Sequence, residues 1–201
     1  MPKKPWEYEN ALSKDRIHYL AALIDAGRQS ALEDFNPLEG DDSWTLGCLA
    51  YKRSCFQIIA ASHAESSDWL AVADPGMAFV FSIGSIPCRF FHGEPEDPQE
   101  KRLYRNAVEG HQFQLSFWEE SVGRPYVWRF VCETNSLGAT LQVSCIGYSD
   151  VGHVLAKHDV KADEMPTVFR KSGSPSEFAD ADDEIVVTVL SSPDKKSSEN
   201  D

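Results

Sequence analysis

The residues best suited to chemistry lie between His92 and Asp97, where an imidazole is followed closely by carboxylates. The cluster consists of His92, Glu94, Glu96 and Asp97. A histidine beside carboxylates can act as a general base or ligate a metal ion. His92 and Glu94 share one side of an extended segment because they are two residues apart. The pattern is also typical of a solvated loop that leads into a helix, since carboxylates are favoured at a helix N-terminus.

Arginines near the same stretch are candidates for binding an anionic group. Arg102 and Arg105 are three residues apart, so they project from one side of the helix predicted there, and Arg89 precedes them on a predicted strand. Guanidinium groups bind phosphate and carboxylate oxygens through paired hydrogen bonds. The alternative is an ordinary exposed helix face, with local ion pairs to Glu100 or Glu109.

A row of polar residues marks the solvent face of the sheet predicted after Gly110. His111 and Gln114 belong to this row, and Arg129 extends it to a neighbouring strand. A sheet face of this composition can hold a polar small ligand or another protein. A covering helix or plain solvent exposure explains the row equally well.

The predicted fold is organised around residues 77–93. Alternating apolar residues predict a strand over 77–83, and Gly84 with Ser85 supplies a two-residue hairpin turn. Residues 86–91 form the returning strand, in which Pro87 predicts an edge or a bulge because proline cannot donate to a ladder. A short strand over 69–73 precedes this hairpin.

Helical spacing predicts two helices before the hairpin and one after it. Ser13 can cap the first, and the second spans 44–63, where a strand over 55–60 is the competing interpretation. The third begins at Pro98, with Asp97 as its cap, and ends at Gly110.

Beyond Gly110 the apolar period changes to two, which predicts consecutive antiparallel strands. These strands cover residues 113–117, 126–133, 141–145 and 153–159. The sequence therefore predicts an α+β fold: an antiparallel, meander-like sheet of six or seven strands, packed by two N-terminal helices and one inserted helix.

The chain divides into three parts by composition. Residues 1–12 predict a loosely ordered arm, 13–160 a single α+β domain, and 161–201 an acidic extension. Within the extension, residues 185–190 are strongly β-prone. They form either a last strand of this sheet or a motif that adds a strand to a partner.

The totals exclude several classes of function. The formal net charge of −13 disfavours nucleic-acid binding through backbone charge and adsorption to anionic lipid. No apolar run approaches the length of a membrane span, and the first ten residues lack the apolar region of a secretory signal. The five cysteines have no zinc spacing, and their apolar neighbours predict buried free thiols in a reducing cytoplasm.

No glycine-rich phosphate loop, nucleophile elbow or zinc-protease motif is present, and we predict no metal and no cofactor. The favoured hypothesis is a non-enzymatic, cytoplasmic protein-binding or regulatory domain. Its acidic charge suits a basic protein partner. One alternative is a metal-dependent hydrolase or nuclease-like enzyme that uses the carboxylates near His92. Another is a small-ligand binding module on the polar sheet face.

Overall fold

A mixed six-stranded sheet forms the centre of the structure, a computed structural model that describes residues 2–115 and 123–168, with only the backbone described at 112–115. The helices are α1 (Lys14–Asp34), α2 (Ser43–Ser62), α3 (Glu100–Leu103) and α4 (Ala107–Leu115). The strands are β1 (Leu70–Asp74), β2 (Val80–Ile83), β3 (Ile86–His92), β4 (Val127–Thr134), β5 (Thr140–Tyr148) and β6 (Val154–Lys161). The predicted α+β class is confirmed.

The strands lie in the sheet in the same order as in the sequence, from β1 to β6. Neighbouring strands are antiparallel except for β3 and β4, which are parallel. The prediction of a purely antiparallel sheet is therefore wrong at this one pair. Parallel neighbours need a crossover connection, and here the chain crosses over through α3 and α4 instead of turning back.

The predicted hairpin of β2 and β3 is present. Ile83 pairs with Ile86, so Gly84 and Ser85 form a two-residue turn. Gly84 has φ +60°, which matches the first central position of a type II′ turn. Pro87 lies just before the parallel ladder with β4, which begins at Cys88. Its missing N–H therefore costs that ladder nothing.

Helices α1 and α2 form a helical hairpin, and their backbones approach each other closely where they cross. Asp42 caps α2 by accepting a hydrogen bond from the Thr45 amide at 2.8 Å, and α2 is a helix throughout, as predicted, without the competing strand. The Ser54 hydroxyl donates to the Ile24 carbonyl at 2.9 Å. A Cβ on Gly27 would lie only 2.3 Å from the Ser54 nitrogen, so the two helices can cross at this point only because residue 27 is glycine.

Each face of the sheet carries its own apolar cluster. The face toward α1 and α2 contributes Phe81 and Phe130, both fully buried. The opposite face contributes Phe91, Val131 and Tyr148. The Tyr148 hydroxyl donates to a main-chain carbonyl in the loop after β3 at 2.6 Å, which ties that loop to the sheet. Burial raises the pKa of this hydroxyl well above its usual value.

The crossover differs from the prediction in two respects. The single inserted helix is two short ones, because α3 ends at Leu103 and α4 starts at Ala107. The strand predicted over 113–117 is wrong as far as Leu115, since α4 continues to that residue, and residues 116 and 117 lie outside the described residues. Gly110 lies inside α4 and does not end it.

The N-terminal residues make definite contacts with the sheet. The Lys3 amide donates to the Leu155 carbonyl at 3.1 Å, and the Lys157 amide donates to the Lys3 carbonyl at 2.9 Å. Leu12 is fully buried, and Trp6 packs against the same core. These contacts hold the described part of the segment that the sequence predicts to be a loose arm. The β-prone stretch 185–190 lies outside the described residues.

Two further predictions concern cysteines and membrane spans. All five cysteines are free thiols, and four of them are buried, but Cys48 is exposed on α2, so the prediction of five buried thiols is wrong there. Cys48 is next to Leu49 and about one helical turn before Tyr51, on a helix whose apolar residues cover most of its circumference, which is why the pattern did not separate it from the core. Within the described residues, every helix is too short or too polar to cross a bilayer.

Candidate functional site

Two arginines contact one buried carboxylate, that of Glu109, and the main-chain carbonyl of a third arginine accepts a hydrogen bond from one of them. Arg89 comes from β3, Arg102 from α3 and Arg129 from β4. Arg129 Nη1 lies 2.5 Å from Glu109 Oε1, and Arg89 Nη1 lies 3.7 Å from Glu109 Oε2. The side chains of Arg129 and Glu109 are only 1% and 2% exposed. We call these four residues the arginine cluster.

The sheet register and a helix cap position this cluster. Arg89 is paired with Arg129 in the parallel ladder of β3 and β4, so their side chains lie next to each other on the same face. Glu109 is held by a reciprocal cap at the start of α4. The Asn106 amide donates to Glu109 Oε2 at 3.0 Å, and the Glu109 amide donates to Asn106 Oδ1 at 2.9 Å.

Arg129 uses its hydrogen-bond donors within the protein. Its Nε donates to the Arg102 carbonyl at 2.7 Å, and Nη2 donates to the Tyr104 carbonyl at 3.3 Å. Burial lowers the pKa of Arg129, and Glu109 opposes that shift. Arg129 therefore fastens the crossover to the sheet, and its guanidinium is not available to a ligand from solvent.

Arg102 and Arg89 are placed differently. The guanidinium of Arg102 lies over the Phe91 ring, 5.3 Å from its centroid, and among the described residues no acceptor or carboxylate contacts it. Burial lowers the pKa of Arg102, and so does Arg89, whereas Tyr51 raises it. The Arg89 side chain is 19% exposed, and its hydrogen bond to the Tyr104 carbonyl is long, at 3.4 Å. These two guanidinium groups can bind an anion.

The other predicted ligand-binding residues do not join the cluster as the sequence suggested. Arg105 lies beyond the end of α3, so it does not share a helix face with Arg102. Its guanidinium stacks on the Tyr126 ring at 3.6 Å, and its Nε donates to the Tyr126 carbonyl at 3.0 Å. His111 is exposed on α4, not on a strand, and the side chain of Gln114 lies outside the described structure.

The residues predicted to be catalytic contact different side chains and do not form one site. His92 is exposed at the end of β3, and its Nε2 lies 2.9 Å from Thr134 Oγ1. Burial lowers the pKa of His92, and the nearby arginines Arg28 and Arg102 lower it further. Glu96 forms an ion pair with Lys157 of β6 at 2.8 Å. The imidazole and this carboxylate are thus engaged at separate strands.

The remaining carboxylates of that cluster, Glu94 and Asp97, are exposed. Across residues 2–115 and 123–168, no three histidine, cysteine or acidic side chains are arranged to hold a metal ion. The geometry therefore adds nothing to the hypothesis of a metal-dependent hydrolase.

Sequence reasoning named Glu109 only as a local ion-pair partner on an exposed helix face and missed its burial, and it did not connect Glu133 and Asp159 with the polar sheet face. The spacing Asn106-x-x-Glu109 is that of a capping pair and could have revealed a helix start at residue 107. On the polar sheet face, the Ser144 hydroxyl donates to Asp159 Oδ1 at 2.6 Å, and Gln142 donates to Glu133. Only the alternation of these residues with apolar ones hinted at a shared face.

A second candidate site is an exposed apolar surface at the end of the structure where α1 connects to α2. It consists of Leu38, Trp44 and Leu137, and we call it the Trp44 surface. Their exposed fractions are 97%, 75% and 81%. Leu137 belongs to the β4–β5 turn, where Arg28 Nε donates to the Gly138 carbonyl at 2.5 Å and Gly138 lies against the side chains of Leu32 and Leu46.

Comparisons of the chain with models of known protein families, with curated proteins and with solved structures found no match. The class of protein is therefore defined by its architecture, which is an α+β protein with a mixed sheet covered by a helical hairpin on one face and a helical crossover on the other. Its two candidate sites are the arginine cluster and the Trp44 surface.

Proposed function

We propose that this chain is a non-enzymatic, cytoplasmic protein-binding domain that receives a basic, partly apolar segment of another protein on the Trp44 surface. The observation that carries the proposal is the juxtaposition of large exposed apolar side chains with a stretch of carboxylates. Free thiols at all five cysteines support the cytoplasmic assignment, because oxidising compartments favour disulfides.

The apolar part of the surface has the chemistry of a binding site. A tryptophan at the centre of an interface often carries a large share of the binding free energy, and Trp44 is three-quarters exposed in the first turn of α2. Helices α1 and α2 pack together here through a small buried cluster that includes Ala31 and Leu46. Trp44 lies two residues before Leu46 on α2, so its backbone is held by this packing, which lowers the entropy cost of binding.

The charge around the Trp44 surface indicates the sign of the charge that a partner should carry. Residues 33–44 contain five carboxylates and no lysine or arginine. Hydrogen bonds from the Thr45 amide lead the effects that lower the pKa of Asp42, so this exposed carboxylate stays ionised. Complementary charge speeds encounter and rejects wrong partners, which favours a lysine- or arginine-rich segment.

The test is a quantitative affinity capture from the native host with wild-type protein and matched variants. Trp44→Ser and Leu137→Ser remove exposed apolar side chains from the surface. Val151→Ser removes one from the β5–β6 turn, where Val151 is 70% exposed, and serves as the control. We expect a captured protein that is lost with both surface variants and retained with the control, and that then binds the purified chain directly with an affinity that falls as salt rises.

Equal capture by wild type and both surface variants would contradict the proposal. So would a captured protein whose direct binding is insensitive to salt, because the carboxylates of 33–44 would then contribute nothing. Circular dichroism of each variant establishes that it is folded before the captures are compared.

A further inference from the structure

We propose that Arg89 and Arg102 form a binding site for a phosphate group, as an inorganic dianion or as the monoester of a small molecule. This site is separate from the Trp44 surface and does not depend on it. The inference begins with the charges of the arginine cluster, in which Arg89 and Arg129 contact a single carboxylate and Arg102 lies beside them over the Phe91 ring.

Glu109 is committed to Arg129. Its Oε1 accepts from Arg129 Nη1 at 2.5 Å, and its Oε2 accepts from the Asn106 amide at 3.0 Å and from Arg129 Nη2 at 3.4 Å. Arg89 reaches the same oxygen only at 3.7 Å. One negative charge is thus shared by Arg129 at short range and Arg89 at longer range, so the arginine cluster keeps an excess of positive charge.

Arg102 is the least satisfied member of the cluster. Its guanidinium is half-buried and fixed over the Phe91 ring, yet no oxygen of the described chain accepts from it. Phe91 is two residues from Arg89 on the same face of β3, so Arg102 and Arg89 lie on one side of the sheet, and Arg89 helps to lower the pKa of Arg102. Partial burial of two like charges is unfavourable unless an anion lies between them or beside them. Among the described residues, Glu109 is the one carboxylate paired with Arg89, at 3.7 Å, and none is paired with Arg102.

The two guanidinium groups are held in place before any ligand arrives. Arg89 is set by its register opposite Arg129 in the sheet. The backbone of α3 is fixed because the Arg102 and Tyr104 carbonyls accept hydrogen bonds from Arg129. Preorganised donors bind an anion more tightly than mobile ones because less freedom is lost on binding. Arg129 and Glu109 are therefore positioning residues for this site.

The charge and form of the site select the ligand. Two guanidinium groups in a cluster with excess positive charge match a compact dianion with several acceptor oxygens, which describes a phosphate or a phosphomonoester. The net charge of −13 repels a long polyanion such as a nucleic acid. A small phosphorylated molecule is therefore the favoured class of ligand.

The experiment is calorimetric titration of the full chain with inorganic phosphate and, separately, with phenyl phosphate, at constant ionic strength maintained with chloride. Sodium acetate, a monoanion, is the control ligand. We expect saturable binding of both phosphates and weaker binding of acetate. Tighter binding of phenyl phosphate than of inorganic phosphate would identify an organic monoester as the ligand, and equal binding would identify phosphate itself.

Matched variants test the residues. Arg102→Gln should weaken phosphate binding at least tenfold, whereas Lys101→Gln, which removes the same charge from an exposed neighbour on α3, should leave it unchanged. Arg102→Lys keeps the charge but loses the planar fork, so it should also weaken binding. Without phosphate, Arg102→Gln should melt no lower than wild type, because the repulsion between Arg102 and Arg89 is gone.

Equal phosphate affinity of Arg102→Gln and wild type would overturn the proposal, as would the absence of saturable binding to wild type. A parallel loss with Lys101→Gln would show that the effect is general charge and would also overturn it. None of these results depends on the protein partner, so failure here is distinguishable from failure of the proposed function.

Discussion

The contact between Arg129 and Glu109 places two opposite charges almost entirely out of solvent. Removing ions from water costs several kcal/mol per ion, and only close geometry with additional hydrogen bonds offsets that cost. Here the additional bonds are present, since Arg129 donates to main-chain carbonyls and Glu109 accepts from the Asn106 amide. The pair should therefore be tolerant of joint replacement and intolerant of the loss of either member.

We predict that Glu109→Gln lowers the free energy of unfolding by about 3–5 kcal/mol, because it leaves the Arg129 charge buried without a counter-ion. Urea denaturation measures the change. Glu100→Gln, at an exposed position on α3, is the control and should change stability by less than about 0.5 kcal/mol. The double replacement of Glu109 by Leu and Arg129 by Met should recover much of the loss, and a double variant as unstable as Glu109→Gln would contradict this account.

A histidine pair gives the stability a pH dependence. His18 Nε2 and His158 Nε2 are 3.1 Å apart. Burial is the largest of the effects that together lower the pKa of His158 to about 4; Lys4, His18 and Lys14 act in the same direction, and Asp159 opposes them. An unfolded histidine titrates near pH 6.5. Between these two values the unfolded chain binds a proton that the folded chain does not bind, so stability falls as the pH falls from about 6.5 to about 4.

We therefore expect the free energy of unfolding to fall on acidification through this window, and His158→Gln to reduce the slope. Urea denaturation at several pH values from about 7 down to about 4.5 measures it. His63→Gln, which removes an exposed histidine, should retain the wild-type slope. An unchanged slope in His158→Gln would show that other groups carry the pH dependence.

At the scale of elements, the crossing of α1 and α2 depends on one glycine. A Cβ at residue 27 would lie 2.3 Å from the Ser54 nitrogen and 2.5 Å from its Cα, and both atoms are backbone. Backbone cannot move aside as a flexible side chain can, so the helices must separate to admit a methyl group. The separation would disturb the hydrogen bond from Ser54 to Ile24 as well.

We predict that Gly27→Ala destabilises the protein by about 1–3 kcal/mol or more, in spite of the better helix propensity of alanine. Gly47→Ala is the matched control on α2, where an added Cβ meets nothing within 4 Å. It should stabilise by about 0.5–1 kcal/mol through propensity alone. Thermal or urea denaturation of both variants gives the comparison, and a Gly27→Ala protein as stable as Gly47→Ala would refute the close crossing.

The elements that the sequence predicted well are those with local signals. Ser13 and Asp42 mark the starts of α1 and α2, and Gly84 marks the hairpin turn. The crossover was predicted poorly because Phe113 and Leu115 alternate with polar residues, which imitates a strand, while the cap at Asn106 was overlooked. The parallel pairing of β3 and β4 has no local signal, since it depends on where the chain returns.

The candidate site was predictable only in its parts. The sequence named Arg89, Arg102 and Arg129 separately, but it placed Arg129 on a wet sheet face, whereas the structure buries it. Arg89 and Arg129 lie side by side because of the register between β3 and β4, across a connection of more than thirty residues, and a hydrogen bond from Arg129 to the Arg102 carbonyl adds the third arginine. Propensity and spacing do not specify such a register, so Glu109 was read as an ordinary helix-surface partner.

At the scale of the whole molecule, the burial of the cysteines shows which parts of the structure are shielded from solvent. Cys88 and Cys145 are fully buried in the main cluster, and burial raises the pKa of both thiols well above the usual value. Burial also raises the pKa of Cys55 and of Cys132 to about 11 in each case. Cys48 alone among the five is exposed.

We predict that a thiol reagent modifies one cysteine rapidly in the native protein and the other four only after denaturant is added. Absorbance of the released chromophore counts the reacted thiols, and Cys48→Ser should abolish the fast phase. Rapid modification of Cys88 in the native state would instead show that the sheet opens near β3.

The single parallel pair, β3 with β4, joins two halves of the sheet that the crossover separates in the sequence. Strands β1 to β3 form one antiparallel meander and β4 to β6 another, and each is built from neighbours in the chain. Within the sheet, the pairing of β3 with β4 joins the two meanders. Forming this pairing closes a long loop, which costs conformational entropy and slows folding. On the face of the sheet that carries Phe81 and Phe130, α1 packs on β4, β5 and β6, and α2 packs on β1. The helical hairpin therefore contacts both meanders. We expect the association of the two meanders with each other and with this hairpin to be the rate-limiting step in folding.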